Sequence, residues 1–273
     1  MVLEPLFQSV TGKRPGDASF LCRIMRRSDT IMFGVTVWFD TGSEHKMSRC
    51  RACIFDLDGT LMKTQESIAK AVNRTLSDFG LKEMPVVNFN FYAGDGLDKA
   101  LERALRDAGD PEAEHLQEGI PICRRYFAED PLYMVEPYPH MAETLRILKK
   151  NGIFTAVLTN KPYLQAIEVV ETIFGTDTFD VIQGQEPDIP RKPDPAGAFR
   201  VMKKMDVNPE DCMYFGDTKT DMKTGHAAGL FTVGVTWGFR PRTELEEYHA
   251  DRILDDPDQI PAAVLCGEEQ ISS

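Results

Sequence analysis

The sequence predicts an α/β fold: a Rossmann-like, doubly wound parallel sheet with a small all-helical unit inserted after the first strand. Three observations carry this. From residue 141 onward, short apolar runs alternate with stretches of helical periodicity, which is the rhythm of a parallel sheet covered on both faces. Between the first apolar run and that rhythm lie three helical stretches with no convincing strand among them. Strand-like runs, or the loops that follow them, deliver Asp56, Thr159, Lys192 and Asp217, and the carboxyl ends of parallel strands are where such sheets bind ligands.

The first strand is the apolar run Cys53, Ile54, Phe55, followed by Asp56-Leu57-Asp58-Gly59-Thr60-Leu61. From Thr64, a plausible N-cap, a helix carries Ile68, Val72, Leu76 and Phe79 at helical spacing until Gly80 closes it. A second runs from about Gly96 with Leu97, Leu101, Leu105 and Ala108 on one stripe, and a third covers 111–129. Pro131, Pro137 and Pro139 mark the return. Helix 141–150, strand 154–158, helix 163–174, strand 180–183, helix 195–205, strand 212–215, helix 221–228 and strand 232–236 then alternate. The division expected is an α/β core over 47–63 and 137–262, a helical insert over 64–136 and a tail over 263–273. Residues 1–46 fit nothing that follows. They are expected to be an extension, mis-assigned or poorly ordered, with Met47 the natural start, although 31–39 could form a strand.

The chain has 273 residues, ample for a sizeable core, and its 42% hydrophobic and 27% charged shares are those of a soluble globular protein. A net charge of -12 disfavours nucleic acid or an anionic membrane surface as partner. The apolar run near Phe33 lies too far from Met1, and lacks a cleavage site, to be a secretory signal, so a cytoplasmic protein is expected. The scattered cysteines include one close pair, Cys50 and Cys53, without a second pair or histidine partners. They read as reduced thiols.

Buried strands do not end in paired acids by preference, because each carboxylate costs solvation and the two repel. Asp56 and Asp58 therefore suggest a cation or a reaction: Asp56 as nucleophile or metal ligand, Asp58 as a group that trades a proton, and Gly59 for the sharp turn. An acidic turn after a strand is the plain alternative. Gly216-Asp217-Thr218-Lys219-Thr220-Asp221 places two more acids at a strand-to-helix turn, where Asp221 could equally serve as a helix cap. Thr159-Asn160 could donate to an anion, and Lys192 offers a compact positive charge in a proline-stiffened loop.

Asp-x-Asp-Gly-Thr, then Thr, Lys and Gly-Asp-x-x-x-Asp in that order, resembles the haloacid dehalogenase superfamily of phosphohydrolases, from about Met47 to about Pro261. Within it the chain looks most like the phosphoglycolate phosphatases. The resemblance implies a Mg²⁺-dependent phosphatase for a small phosphorylated metabolite, working as a monomer or homodimer. Asp56 would be the nucleophile and Asp58 the acid/base. Asp56, Asp217 and the main-chain carbonyl of Asp58 would hold the metal. Thr159, Asn160 and Lys192 would meet the phosphate, and Asp221 would support a metal water or Lys192. The helical insert matches a cap, and Gly94 lies in what resembles its specificity loop. Lys63 departs from the pattern, since relatives usually carry an Asp there. A pyrophosphatase, a nucleotidase, a sugar-phosphate phosphatase and a β-phosphoglucomutase-like enzyme stay open as substrate alternatives. Outside this class, a phospho-accepting receiver domain or a catalytically silent binding protein remains.

Overall fold

The computed structural model describes residues 50–265 and, apart from these, a short antiparallel pairing of Arg26–Arg27 with Thr30–Ile31. The expectations for a start at Met47, for most of a strand over 31–39 and for the end of the tail lie outside the described residues. Strand β1 (Ala52–Phe55) is central. Beside it on one side lie β4 (Phe154–Pro162) and β5 (Val181–Gln185), and on the other β6 (Cys212–Gly216), β7 (Phe231–Val235) and β8 (Arg252–Leu254), all parallel. The chain order changes direction between β1 and β6, which opens a crevice beyond their carboxyl ends. Alternation along β1 feeds both faces. Cys53 and Phe55 pack with helices α5 (Met141–Lys150), α6 (Tyr163–Phe174) and α9 (Ile260–Leu265), whereas Ala52 and Ile54 pack with α7 (Ala196–Met205). Phe55 and Phe215 are register partners with rings stacked 4.8 Å apart, which fixes β1 against β6 at the point where the acids emerge.

The insert leaves and rejoins the core through two short strands, β2 (Met62–Lys63) and β3 (Glu136–Pro137), paired antiparallel so that Lys63 faces Glu136. Between them α1 (Gln65–Asp78), α2 (Phe89–Tyr92), α3 (Leu97–Ala108) and α4 (Leu116–Glu129) share their own apolar cluster. Val72, Leu76, Phe89, Leu101 and Leu105 are fully buried there.

Some boundaries differ from expectation, each for a local reason. Helix α4 starts at Leu116, not 111, because the Asp110 carboxylate takes the amides of Glu114 and His115 and Ala113 turns into the left-handed region. Thr64 stands at the N-cap of α1 but donates no hydrogen bond from its hydroxyl. Strand β4 continues past Thr159 to Pro162, since pairing with β5 resumes after a shift in register. Helix α8 (Lys219–Ala227) begins two residues early because Thr218 caps it, with Asp221 as the reciprocal partner. The core reaches Leu265, as Ile260, Ala263 and Val264 of α9 are buried in it. Cys50, Cys53, Cys123 and Cys212 are free, buried thiols, with the Cys50 and Cys53 sulfurs 4.0 Å apart. Among the described residues no helix is long and apolar enough to cross a membrane.

Candidate active site

The crevice collects the acids. The amide of Asp56 donates to the Phe215 carbonyl (2.9 Å), so β1 and β6 deliver Asp56 and Asp217 side by side, and the first turn of α8 adds Asp221. One carboxylate oxygen from each of Asp56, Asp217 and Asp221 lies within 4.8 Å of the others, and all three residues are buried. Asp217 is held by the Phe239 amide (2.6 Å) and the Thr60 hydroxyl (3.2 Å). Gly59 brings the backbone up against it. With φ of +91°, a Cβ at this position would lie 2.4 Å from the Asp217 Oδ2.

Lys192 enters from the loop after β5. Its Nζ donates to Asp56 Oδ1 and Asp221 Oδ1, both at 2.7 Å, and to the Tyr214 hydroxyl at 3.2 Å. Burial opposes its charge, but Asp221 and Asp56 outweigh that and hold it well above the ordinary lysine value. One lysine cannot neutralise three enclosed carboxylates. Burial pushes Asp56 up to about 7 against the pull of Lys192, and burial with repulsion from Asp221 and Asp56 pushes Asp217 up strongly. The excess negative charge and the all-oxygen donor set fit a hard divalent cation. The family resemblance implies Asp56, Asp217 and the main-chain carbonyl of Asp58 as metal ligands; the structure brings the carboxylate of Asp221 to the same point as those of Asp56 and Asp217.

Asn160 locks the lysine loop. Its Oδ1 accepts from the Lys192 amide (2.9 Å) and its Nδ2 donates to the Lys192 carbonyl (3.3 Å). Thr159 is buried beside it, with its hydroxyl accepting from the Lys161 amide (3.2 Å). The carboxylate of Asp58, expected to act as acid/base, faces a cation from β4, Lys161. Lys161 Nζ stands 3.0 Å from Asp58 Oδ1 with its side chain 1% exposed. Sequence reasoning passes over Lys161, and no local signal marks it, because the strand continues past Thr159 only through its pairing with β5.

The insert forms the far wall. Asp56, Asp58, Thr159, Asn160 and Lys161 share a cavity of about 30 Å³ with Gly94, Leu97, Ala100 and Phe127, room for little more than a pair of waters. Gly94, at φ +107°, runs close to Thr218, which a Cβ would approach to 3.2 Å. Contacts across the gap hold the wall in place. Arg240 donates to the carbonyls of Phe91 (3.2 Å) and Ala93 (3.0 Å), Thr220 to Asp95 (2.5 Å) and Arg191 to Asp98 (3.1 Å).

Comparison with known proteins places this arrangement. Residues 53–235 match the family model of haloacid dehalogenase-like hydrolases. The phosphoglycolate phosphatase of Haemophilus influenzae (strain Rd) is 33% identical over 217 residues, covering 76% of this chain and 94% of the relative. That of Aquifex aeolicus is 31% identical over 189 residues, covering 69% and 86%. Among solved structures, a predicted phosphoglycolate phosphatase of Haemophilus somnus superposes with a TM-score of 0.71 at 27% identity, covering 78% of this chain and 97% of that one. With its paired acids, lysine and helical insert in the places described, the chain belongs to the haloacid dehalogenase-like hydrolases and is a phosphoglycolate phosphatase-like member of that family.

Proposed function

We propose that the protein hydrolyses a small phosphate monoester, 2-phosphoglycolate being the first candidate because the relatives carry that name. The observation that carries the reading is the convergence of Asp56, Asp217 and Asp221 around one point, with Lys192 touching two of them. Asp56 is the nucleophile. Its carboxylate attacks phosphorus, the ester P–O bond breaks, and an aspartyl phosphate forms on Asp56. Asp58 gives its proton to the departing alkoxide and then takes one from the water that cleaves the acyl phosphate, which restores Asp56. Lys192 holds the nucleophile in place and offsets charge on the phosphoryl group, while Thr159 and Asn160 border the same space. Asp56 and Asp217, with Asp221 and the carbonyl of Asp58, would hold Mg²⁺. Bound there, the ion offsets the mutual repulsion of carboxylate and phosphate. The insert acts as a cap that excludes water while the phosphoenzyme exists and must lift for substrate to enter so small a cavity.

The test is phosphate release from 2-phosphoglycolate, sugar phosphates, nucleotides and pyrophosphate, with Mg²⁺ and with EDTA, for the wild type and Asp56→Asn. The wild type should release phosphate only with the metal, and acid quench should trap phosphate on the wild type but not on the variant. Near-normal turnover by Asp56→Asn removes the nucleophile assignment.

A further inference from the structure

Lys161 has no part in the chemistry above, yet among the described residues it is one of the most enclosed charges, its side chain 1% exposed. Its ammonium donates no aligned hydrogen bond, stands 3.0 Å from Asp58 Oδ1 and lies 4.4 Å from the centre of the Phe127 ring in α4. Asp58 Oδ1 likewise has no aligned donor. An ammonium kept out of water is costly unless an anion meets it with good geometry. Here core and insert enclose one inside the catalytic cavity and leave it with an oblique contact to a single carboxylate.

We propose that Lys161 reads a carboxylate on the leaving group, so that the site selects 2-phospho acids over neutral phosphate esters. The proposal rests on the phosphatase reading and deepens it. Position carries the argument. Asp58, as proton donor, must touch the ester oxygen, so an ammonium 3.0 Å from its carboxylate stands on the leaving-group side. Lys192 stands on the phosphoryl side, against Asp56 and Asp221. In a 2-phospho acid a single carbon separates the ester oxygen from the carboxylate, so the two lie roughly 2–3 Å apart. One ammonium can then reach both Asp58 and the substrate carboxylate at the usual charge-assisted distance of about 2.8 Å.

The rest of the wall on the insert side supplies no competing cation: Ile68, Leu97, Ala100 and Phe127 are apolar. The Phe127 ring keeps the ammonium in place and dry, which strengthens its preference for an anion. The small cavity also limits the leaving group to a few atoms while the wall stands where it does.

The experiment compares 2-phosphoglycolate with ethyl phosphate, which keeps the chain length but replaces the carboxylate by a methyl group. Wild type, Lys161→Met and Lys161→Arg are each assayed with Mg²⁺, after circular dichroism confirms folding. The wild type should favour 2-phosphoglycolate by about 100-fold or more in kcat/KM, as expected where a buried polar group goes unpaired with the wrong substrate. Lys161→Met should lose at least about 30-fold more on 2-phosphoglycolate than on ethyl phosphate, mainly through KM, and Lys161→Arg should recover part of the preference. Equal losses on the two esters would assign Lys161 to Asp58 alone and overturn the proposal. So would a wild type that takes both esters equally, a result independent of whether Lys161→Met folds. A wild type that releases phosphate from no ester at all is a different failure, that of the phosphatase reading itself.

Discussion

The crowding of carboxylates around one lysine should be visible as a stability that falls with rising pH and is restored by metal. Asp56 is held near 7 against an ordinary value of 3.8, chiefly by burial. A difference of about 3 units at 1.36 kcal/mol each makes ~4 kcal/mol. Because the folded value is the raised one, this stability is present in full below about pH 4 and is lost as pH climbs through about 7. Asp217 is shifted the same way and adds to the slope, while Lys192, held high, contributes evenly across the window. Asp56→Asn keeps the shape and removes the charge. In EDTA at pH 8 it should therefore be more stable than the wild type, by up to ~4 kcal/mol or roughly 10 °C in Tm for a protein of this size. At pH 5 the gap should narrow sharply. Mg²⁺ should raise the wild-type Tm more at pH 8 than at pH 5, and do little for the variant. Differential scanning fluorimetry over pH 5–8, with and without metal, reads all of this. A less stable Asp56→Asn at pH 8 in EDTA would mean that Lys192 more than compensates Asp56, and the charge argument for a cation site would fail.

Asp58→Asn should lower kcat/KM by about 10²–10⁴, with the greater loss on esters whose leaving alkoxides are most basic. An equal loss on p-nitrophenyl phosphate, which needs no proton on departure, would count against the acid assignment. Gly59→Ala forces a side chain into left-handed backbone and onto Asp217. Metal titration should show weaker Mg²⁺ binding, together with a stability loss of about 1–3 kcal/mol. Leu101→Ala empties the centre of the insert cluster and should cost about 2–5 kcal/mol by denaturant unfolding. Wild-type stability there would show that the insert's packing is not as described.

Much of the core was legible because its cues are local. The bounds of α5 and α6 follow from apolar periodicity closed by Gly152 and Gly175, and Asp56 and Asp217 follow from acids that end apolar runs. What stayed hidden depends on partners distant in the chain. Strand β4 runs on to Pro162 only because β5 is there to pair with it, and β2 and β3 exist only through each other. Lys161 looks like any surface lysine until Phe127 and Asp58, from separate parts of the chain, close around it. Asn160 is expected from the sequence to meet the phosphate, and it borders the cavity. That both ends of its amide grip the Lys192 backbone is a relation between two loops that no spacing encodes.

The pairing of β2 with β3 has a consequence for how such proteins diversify. The chain departs at Lys63 and returns at Glu136 on adjacent strands, roughly 5 Å apart, so to the sheet below everything between them is equivalent to a tight turn. Lengthening that excursion adds only a slowly growing, logarithmic entropy of closure. A different module could be spliced in at this seam, or this one removed, without rewiring β1, β4 or β6. Substrate choice could thus be exchanged as a cassette while the phosphate chemistry stays behind.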